Sequence, residues 1–258
     1  MSEPLDFTGK VVVVTGGTQG IGRGIAERFL EAGANVIVCA RTADAKPPAA
    51  AGKEALFVAA NVRKLEEIER VVALATERFG RLDVLVNNAG GSPAADAASA
   101  SPRFLASIID LNLTAPLLFA QRANAVMQGQ AEGGAIVNIA SVSGTRASPG
   151  TTAYGAAKAG LLNLTQSLAV EWAPKVRVNA ITAGIIRTER AELHYGDEAG
   201  VRAVEATIPL GRMGEPRDIA DACLYLASPL AGYVSGAALL VHGGGERPAF
   251  LEAAKTKA

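Results

Sequence analysis

Tyr154 and Lys158 stand four residues apart in the stretch T-A-Y-G-A-A-K-A-G at 152–160, with only Gly and Ala between them. On a helix that spacing stacks a phenol and an ammonium on one face, about one turn apart. A nearby cation favours phenolate, so the pair could exchange a proton with a bound substrate. The same spacing also arises by chance on solvated helix faces, so the pair takes its meaning from the elements that hold it.

A second constellation is T-G-G-T-Q-G-I-G at 15–22. The β-branched run Val11 to Val14 leads into it, and Ile21, Ile25, Phe29 and Leu30 follow at helical spacing until Gly33 stops them. Gly16, Gly20 and Gly22 let the backbone approach a pyrophosphate, towards which the new helix points its free N–H groups and positive dipole end. A tight strand-to-helix turn without a ligand is the plain alternative. The spacing is G-x-x-x-G-x-G, not the generic dinucleotide G-x-G-x-x-G, and no G-K-[ST] follows, which argues against a phosphotransferase. About 20 residues on, NAD sites usually supply an acid to the ribose. Here the second strand ends C-A-R-T, with Ala40 and Arg41. A guanidinium suits a 2′-phosphate, which favours NADP(H) over NAD(H). Arg41 as a solvent-facing loop residue, with NAD bound without the acid, stays open.

Further strands are expected at 35–39, 56–59, 82–86, 135–139, 176–180 and 238–241, and helices at 65–79, 104–127 and 153–172. Continuous apolar strands alternating with helices predict an α/β fold: a Rossmann-like, doubly wound parallel sheet with helices on both faces. No linker or internal repeat interrupts the chain, so one domain is expected over 1–258, with 47–52 a surface loop. Hydrophobic residues at 49% and charged residues at 19% predict a large core and no disorder. The 25 basic and 25 acidic residues balance and leave no electrostatic footprint for nucleic acid. Cys39, Cys223, His194 and His242 are too few and too scattered for a disulfide framework or a metal site. The start M-S-E-P-L-D lacks a signal-peptide pattern, and no apolar run reads as a membrane span, so a cytoplasmic protein is expected.

With T-G-G-T-Q-G-I-G, N-N-A-G (87–90) and Y-G-A-A-K in this order, nearly the whole chain resembles the short-chain dehydrogenase/reductase family. The resemblance implies an oxidoreductase that moves a hydride between a nicotinamide cofactor and a carbonyl or secondary alcohol, and it implies a homotetramer. It implies that Tyr154 is the proton donor and acceptor. Lys158 would hold the nicotinamide ribose and lower the Tyr154 pKa. Ser141, favoured over its neighbour Ser143, would bond the substrate oxygen, and Asn112 would complete a water-mediated proton relay to Lys158. For the cofactor it implies Thr18, Gln19 and Ile21 beside the phosphates and Asn88, Ala89 and Gly90 at the adenine ribose, with Asn87 structural. Asn61 and Val62 would meet adenine, and Gly184, Ile186 and Thr188 the nicotinamide end.

Three departures from the family pattern stand out: Ala183-Gly184 for the usual Pro-Gly, Asn61 for Asp, and V-H-G-G-G-E at 241–246 for V-D-G-G. The family keeps a substrate lid at about 188–210, where Leu193, Tyr195, Val201 and Val204 could close an apolar pocket. Gly91, Ser92, Pro93 and 144–148 would form the rest of its rim. A bulky hydrophobic substrate, such as a steroid-like ketone or a 3-oxoacyl thioester, fits these residues, and Arg146 is either an anion contact or a solvated loop residue. A cofactor-binding sensor without turnover is the competing class, and it would have little need of the Asn–Ser–Tyr–Lys set.

Overall fold

β1 (Val11–Thr15) is buried along its whole length, and its side chains alternate between two cores. Val12 and Val14 pack on one side of the sheet, Val11 and Val13 on the other. That period of two, with both faces apolar, is what a strand covered by helices on both sides requires. The computed structural model describes residues 4–42, 46–189, 195–248, 250 and 254. Among them, β1 lies within a seven-stranded parallel sheet of order β5-β2-β1-β6-β7-β8-β9. The other strands are β2 (Asn35–Ala40), β5 (Leu56–Ala59), β6 (Val84–Asn87), β7 (Gly134–Ser141), β8 (Val176–Ala183) and β9 (Ala238–Val241). The 47–52 piece, expected as loop, contributes to a two-stranded antiparallel hairpin, β3 (Ala49–Ala50) with β4 (Lys53–Glu54).

The chain runs outward from β1 to β2 and β5, then returns to pair β6 on the opposite side of β1. The crevice between the carboxyl ends of β1 and β6 is therefore the point where strand order reverses, the usual ligand position in such sheets. One face carries α1 (Gly20–Glu31) and a helix absent from the sequence expectation, α7 (Pro216–Ala227). Its Ile219, Ala220, Cys223 and Leu224 join Ile25, Phe29 and Leu30 in one core. Its start was written in the sequence: Pro216 opens the first turn, and Asp218 accepts the Glu215 N–H at 2.7 Å. The other face carries α2 (Leu65–Phe79), α4 (Ala115–Gly129) and α5 (Thr152–Glu171).

The single helix expected at 104–127 is a composite. α3 (Pro102–Ile109) passes through a π-helical turn, Asp110–Thr114, into α4. This continuous stretch, Pro102–Gly129, is long enough for a membrane span and holds an 18-residue window of mean hydropathy 1.4, against the expectation that no such run exists. Phe119, Ala120, Ala123 and Met127 account for part of that hydropathy by packing against the sheet. A smaller apolar cluster of Val201, Ile208 and Met213 holds α6 (Glu198–Glu205) and the segment after it near Ile185.

Candidate active site

The glycine turn leaves β1 at the crevice. Gly16 takes φ +64° and Gly20 φ +52°, in the left-handed region that favours glycine. A Cβ on Gly22 would lie 2.3 Å from the Gly16 carbonyl oxygen and 2.4 Å from Asn88 Nδ2, so only a bare backbone fits there. Thr15 ties the turn to β6: its Oγ1 accepts from the Asn88 and Ala89 N–H groups, both at 2.9 Å. Asn88 Nδ2 donates to the carbonyls of Thr15 (2.8 Å) and Gly16 (3.2 Å). The Asn88 amide nitrogen thus holds the turn, a structural task the sequence reading had given to Asn87. Asn87 is structural too, donating to Pro116 O and to Asn138 Oδ1 in the core.

Thr18 and Ile21 are half-buried on the turn and Gln19 is exposed. The Glu189 carboxylate accepts the Gly20 N–H at 2.9 Å, so the α1 N-terminus already takes an anionic group. The left-handed turn, the missing Cβ space and this stand-in carboxylate are what a pyrophosphate site requires, and the residues present fit a dinucleotide. Arg41 is exposed just past β2. Asn61 Oδ1 accepts the Arg63 N–H at 3.1 Å and Val62 is buried, so this amide shapes its own turn. Thr188 Cγ2 lies 3.4 Å from the Cβ position of Gly20. Ile186 bridges Gly214, with the bonds running from Arg187 N to Gly214 O and from Gly214 N to Ile185 O. In this parallel pattern Ile186's own N–H and carbonyl point away from its bridge partner. Gly184 packs on His242, whose Cβ would lie 2.6 Å from a Cβ at 184, which makes His242 a packing residue at that side.

α5 carries Tyr154 and Lys158, and the small residues between them now have a reason. The turn after β7, Val142–Gly144, presses on α5: the Ser143 carbonyl lies 2.8 Å from a Cβ position on Gly155, and Lys158 C lies 2.7 Å from one on Gly144. That close approach brings the Ser141 side chain near enough to Tyr154 to act on its phenol. Ser141 Oγ also accepts the Ser143 N–H at 3.1 Å. Lys158 is buried, donates from Nζ to the Ile139 carbonyl at 2.7 Å, and lies 5.6 Å from the Tyr154 ring centroid.

Asn112 sits in the π-helical turn, wholly buried. Its Oδ1 accepts the Gly91 N–H at 2.9 Å, and its Nδ2 donates to Gly91 O and Ile108 O. The space a Cβ on Gly90 would need is bounded by Asn112 Oδ1 (2.7 Å) and Lys158 Nζ (3.3 Å), so amide and ammonium converge on one spot. Nothing in the hydrophobic period announces the π turn, though such turns are frequent at functional sites.

The electrostatics correct one expectation. The Tyr154 phenol is raised above its ordinary value, not lowered. Burial is the largest cause, the Ser141 side chain opposes it, and the neighbouring Tyr195 adds to the rise. Lys158 does not offset this, because burial weakens its own hold on a proton and brings its pKa down to about 8. Burial likewise pushes Cys39 up to about 12 and raises Cys223, as for core fillers. Beside the cluster lies a cavity of about 300 Å³ whose lining mixes apolar Val142, Ile185, Ile208 and Leu240 with polar Thr145, Arg146, His242 and Glu246. Tyr195 is half-buried near it, Val201 is buried and Val204 half-buried, whereas Leu193 and His194 lie outside the described residues.

A dinucleotide crevice next to a half-buried phenol and a buried ammonium defines a class, the cofactor-dependent oxidoreductases, and known proteins narrow it. The family model described as enoyl-(acyl carrier protein) reductase matches residues 16–246. The chain is 38% identical over 248 residues to the 3-oxoacyl-[acyl-carrier-protein] reductase FabG of Vibrio harveyi, covering 93% of this chain and 98% of the relative. It is 38% identical over 242 residues to a 3alpha-hydroxysteroid dehydrogenase of Mediterraneibacter gnavus, covering 91% and 96%. A crystal structure of a short-chain type dehydrogenase/reductase from Mycobacterium marinum is similar with a TM-score of 0.85 and 34% identity, covering 95% of this chain and 98% of that one. The chain belongs to the short-chain dehydrogenase/reductase family. It is an oxidoreductase, of a family that uses NAD(P)(H).

Proposed function

We propose that the protein transfers a hydride between NADP(H) and a carbonyl or secondary alcohol, with Tyr154 as the acid and base. The observation that carries this reading is the convergence of Lys158 Nζ, buried one turn along the helix from Tyr154, with the Asn112 amide at Gly90, beside the glycine turn. The nicotinamide, when bound, supplies the hydride in reduction and takes it in oxidation. In reduction the substrate carbonyl accepts hydrogen bonds from Ser141 and Tyr154, and the phenol proton passes to the carbonyl oxygen as the carbon receives hydride. A phenol raised by burial keeps that proton through neutral pH, so it is poised as an acid. The Lys158 ammonium sits close enough to return a proton to the phenolate, through Asn112 and water. Oxidation runs the same path backwards and gains from rising pH.

The cofactor would lie with its pyrophosphate over Gly16, Thr18, Gln19, Gly20, Ile21 and Gly22, and its ribose between Ala89, Gly90 and Lys158. Arg41, exposed and without a carboxylate partner among the described residues, supports the 2′-phosphate form. The segment from 188 to 210 would be the lid, its cluster around Val201 and Ile208 forming a dry wall. The apolar part of the cavity lining supports a substrate with a bulky hydrophobic body, a steroid-like ketone or a 3-oxoacyl thioester. Half-buried Leu117, Leu118 and Val126 on α4, with Val170 on α5 at 82% exposure, support a homotetramer. The test is a panel of ketones and alcohols offered with each cofactor and followed by nicotinamide absorbance. Arg41→Asp should move the NADP/NAD ratio of kcat/KM towards NAD by about 30-fold, the worth of about one charge-assisted pairing. An unchanged ratio removes Arg41 from phosphate recognition.

A further inference from the structure

We infer that Arg146 and Glu246 form a charge filter in the wall of the substrate cavity, selecting molecules whose end facing that wall is uncharged. The inference rests on the proposed carbonyl reduction and names the substrate class for the same site. Three observations carry it.

The first is how Glu246 reaches the site. β9 ends at Val241, and the chain then turns back through Gly243, Gly244 and Gly245, at φ +65°, +93° and +83°. Three successive left-handed residues are open only to glycine without strain. Cβ atoms at 243 and 244 would also meet Ile208 at 2.8 Å and Pro209 at 2.9 Å. Leu210 N to Gly243 O (3.1 Å) and Arg247 N to Thr207 O (3.0 Å) pin the returning segment to the cavity's edge. The sequence departure V-H-G-G-G-E is therefore a backbone device, and its product is the placement of Glu246.

The second is the partner. Arg146, on the loop after β7, bonds Glu246 Oε1 through one terminal nitrogen and the Ala147 carbonyl through the other. The two side chains keep 46% and 33% of their surface exposed, and both line the cavity. The guanidinium that the sequence alone offers to an anionic substrate is already neutralised.

The third is the link to the reacting group. The cavity that the pair lines also takes in Val142, the residue next to Ser141, and the charges of Arg146 and Glu246 act in opposite directions on Tyr195, which in turn acts on Tyr154. A carboxylate entering this space meets Glu246 as a like charge and finds Arg146 occupied. An ester, a thioester or a neutral alcohol carries no charge for Glu246 to repel and needs no free guanidinium. The filter would admit a 3-oxoacyl thioester and refuse the free 3-oxo acid.

The experiment uses the full-length wild type, Glu246→Gln and Arg146→Met. Substrates are oxo acids from 4-oxopentanoate to 9-oxodecanoate and their methyl esters, a ladder that varies the distance between carbonyl and charge. The readout is the ester-to-acid ratio of kcat/KM. Wild type should favour the esters. Glu246→Gln should move the ratio towards the acids by about two- to fivefold at one or two chain lengths, the range for a partly exposed pair. Arg146→Met should move it further towards the esters. Equal effects on ester and acid would mean a merely structural pair and overturn the filter. Turnover of neither form, nor of any ketone, by wild type would overturn the reduction itself and the filter with it.

Discussion

The cofactor side and the substrate side of the crevice are built in different ways. The cofactor side is made of backbone: a glycine turn, a helix N-terminus, and the Thr15–Asn88 ties between β1 and β6. Its requirements are local, because each glycine must be absent of a side chain where it stands. The substrate side is made of side chains brought together from distant segments, with Arg146 and Glu246 exactly one hundred positions apart. Tyr154 and Ser141 stand between the two, on different elements that meet only because Gly144 and Gly155 let a turn press on α5. A binding platform that tolerates no change thus faces a wall that can vary freely.

That contrast can be broken most severely from the cofactor side. Gly22→Val should lose dinucleotide binding and cost about 3 kcal/mol or more of stability, because its side chain would occupy the space of Gly16 O and Asn88 Nδ2. Urea unfolding and cofactor titration check both; tight binding by this variant would mean the turn is not the pyrophosphate site.

Lys158→Met probes the group between the two sides. Burial brings the ammonium from 10.5 to about 8, so the folded state holds fewer protons than the unfolded chain between those values. Wild-type stability should therefore rise as pH increases through that window, and the burial cost is felt in full below it. The variant should lose turnover yet be more stable than wild type below about pH 8, by about 2 kcal/mol once the lost bond to Ile139 is counted. Its advantage should vanish above about pH 10; a pH-independent difference would contradict the buried charge.

The smallest effect concerns Glu189, whose carboxylate accepts the Gly20 N–H where a pyrophosphate would lie. Glu189→Gln should tighten dinucleotide binding by about two- to fivefold, measured by calorimetry, since a neutral side chain competes less for the positive helix end. Weaker binding would mean that Glu189 assists the ligand.

The same contrast decides what the sequence could reveal. The strands, the glycine turn and the Tyr154–Lys158 face were legible because apolar periodicity and glycine spacing are local properties of the chain. The doubly wound parallel sheet followed from the alternation of apolar strands with helices, whereas its strand order came only with the structure. α7 escaped although Glu215, Pro216 and Asp218 spell its start, since a short helix beside a loop-rich segment carries little periodicity. The π turn around Asn112 escaped because one extra residue per turn leaves the composition unchanged. The direction of the Tyr154 shift was misjudged because burial, its largest cause, is a property of the packed site and not of the Tyr–Lys spacing. The Arg146–Glu246 pair had no sequence signal beyond three glycines in a row.

The central claim is that one phenol moves the proton while separate backbone holds the dinucleotide. Tyr154→Phe keeps the ring and removes only the hydroxyl, so titrating the variant with cofactor and assaying the best ketone in the same preparation tests it directly. Dinucleotide affinity within about twofold of wild type, with kcat lowered by about 10²–10⁴, is the predicted result. Turnover near the wild-type rate, or affinity lost together with turnover, would contradict it.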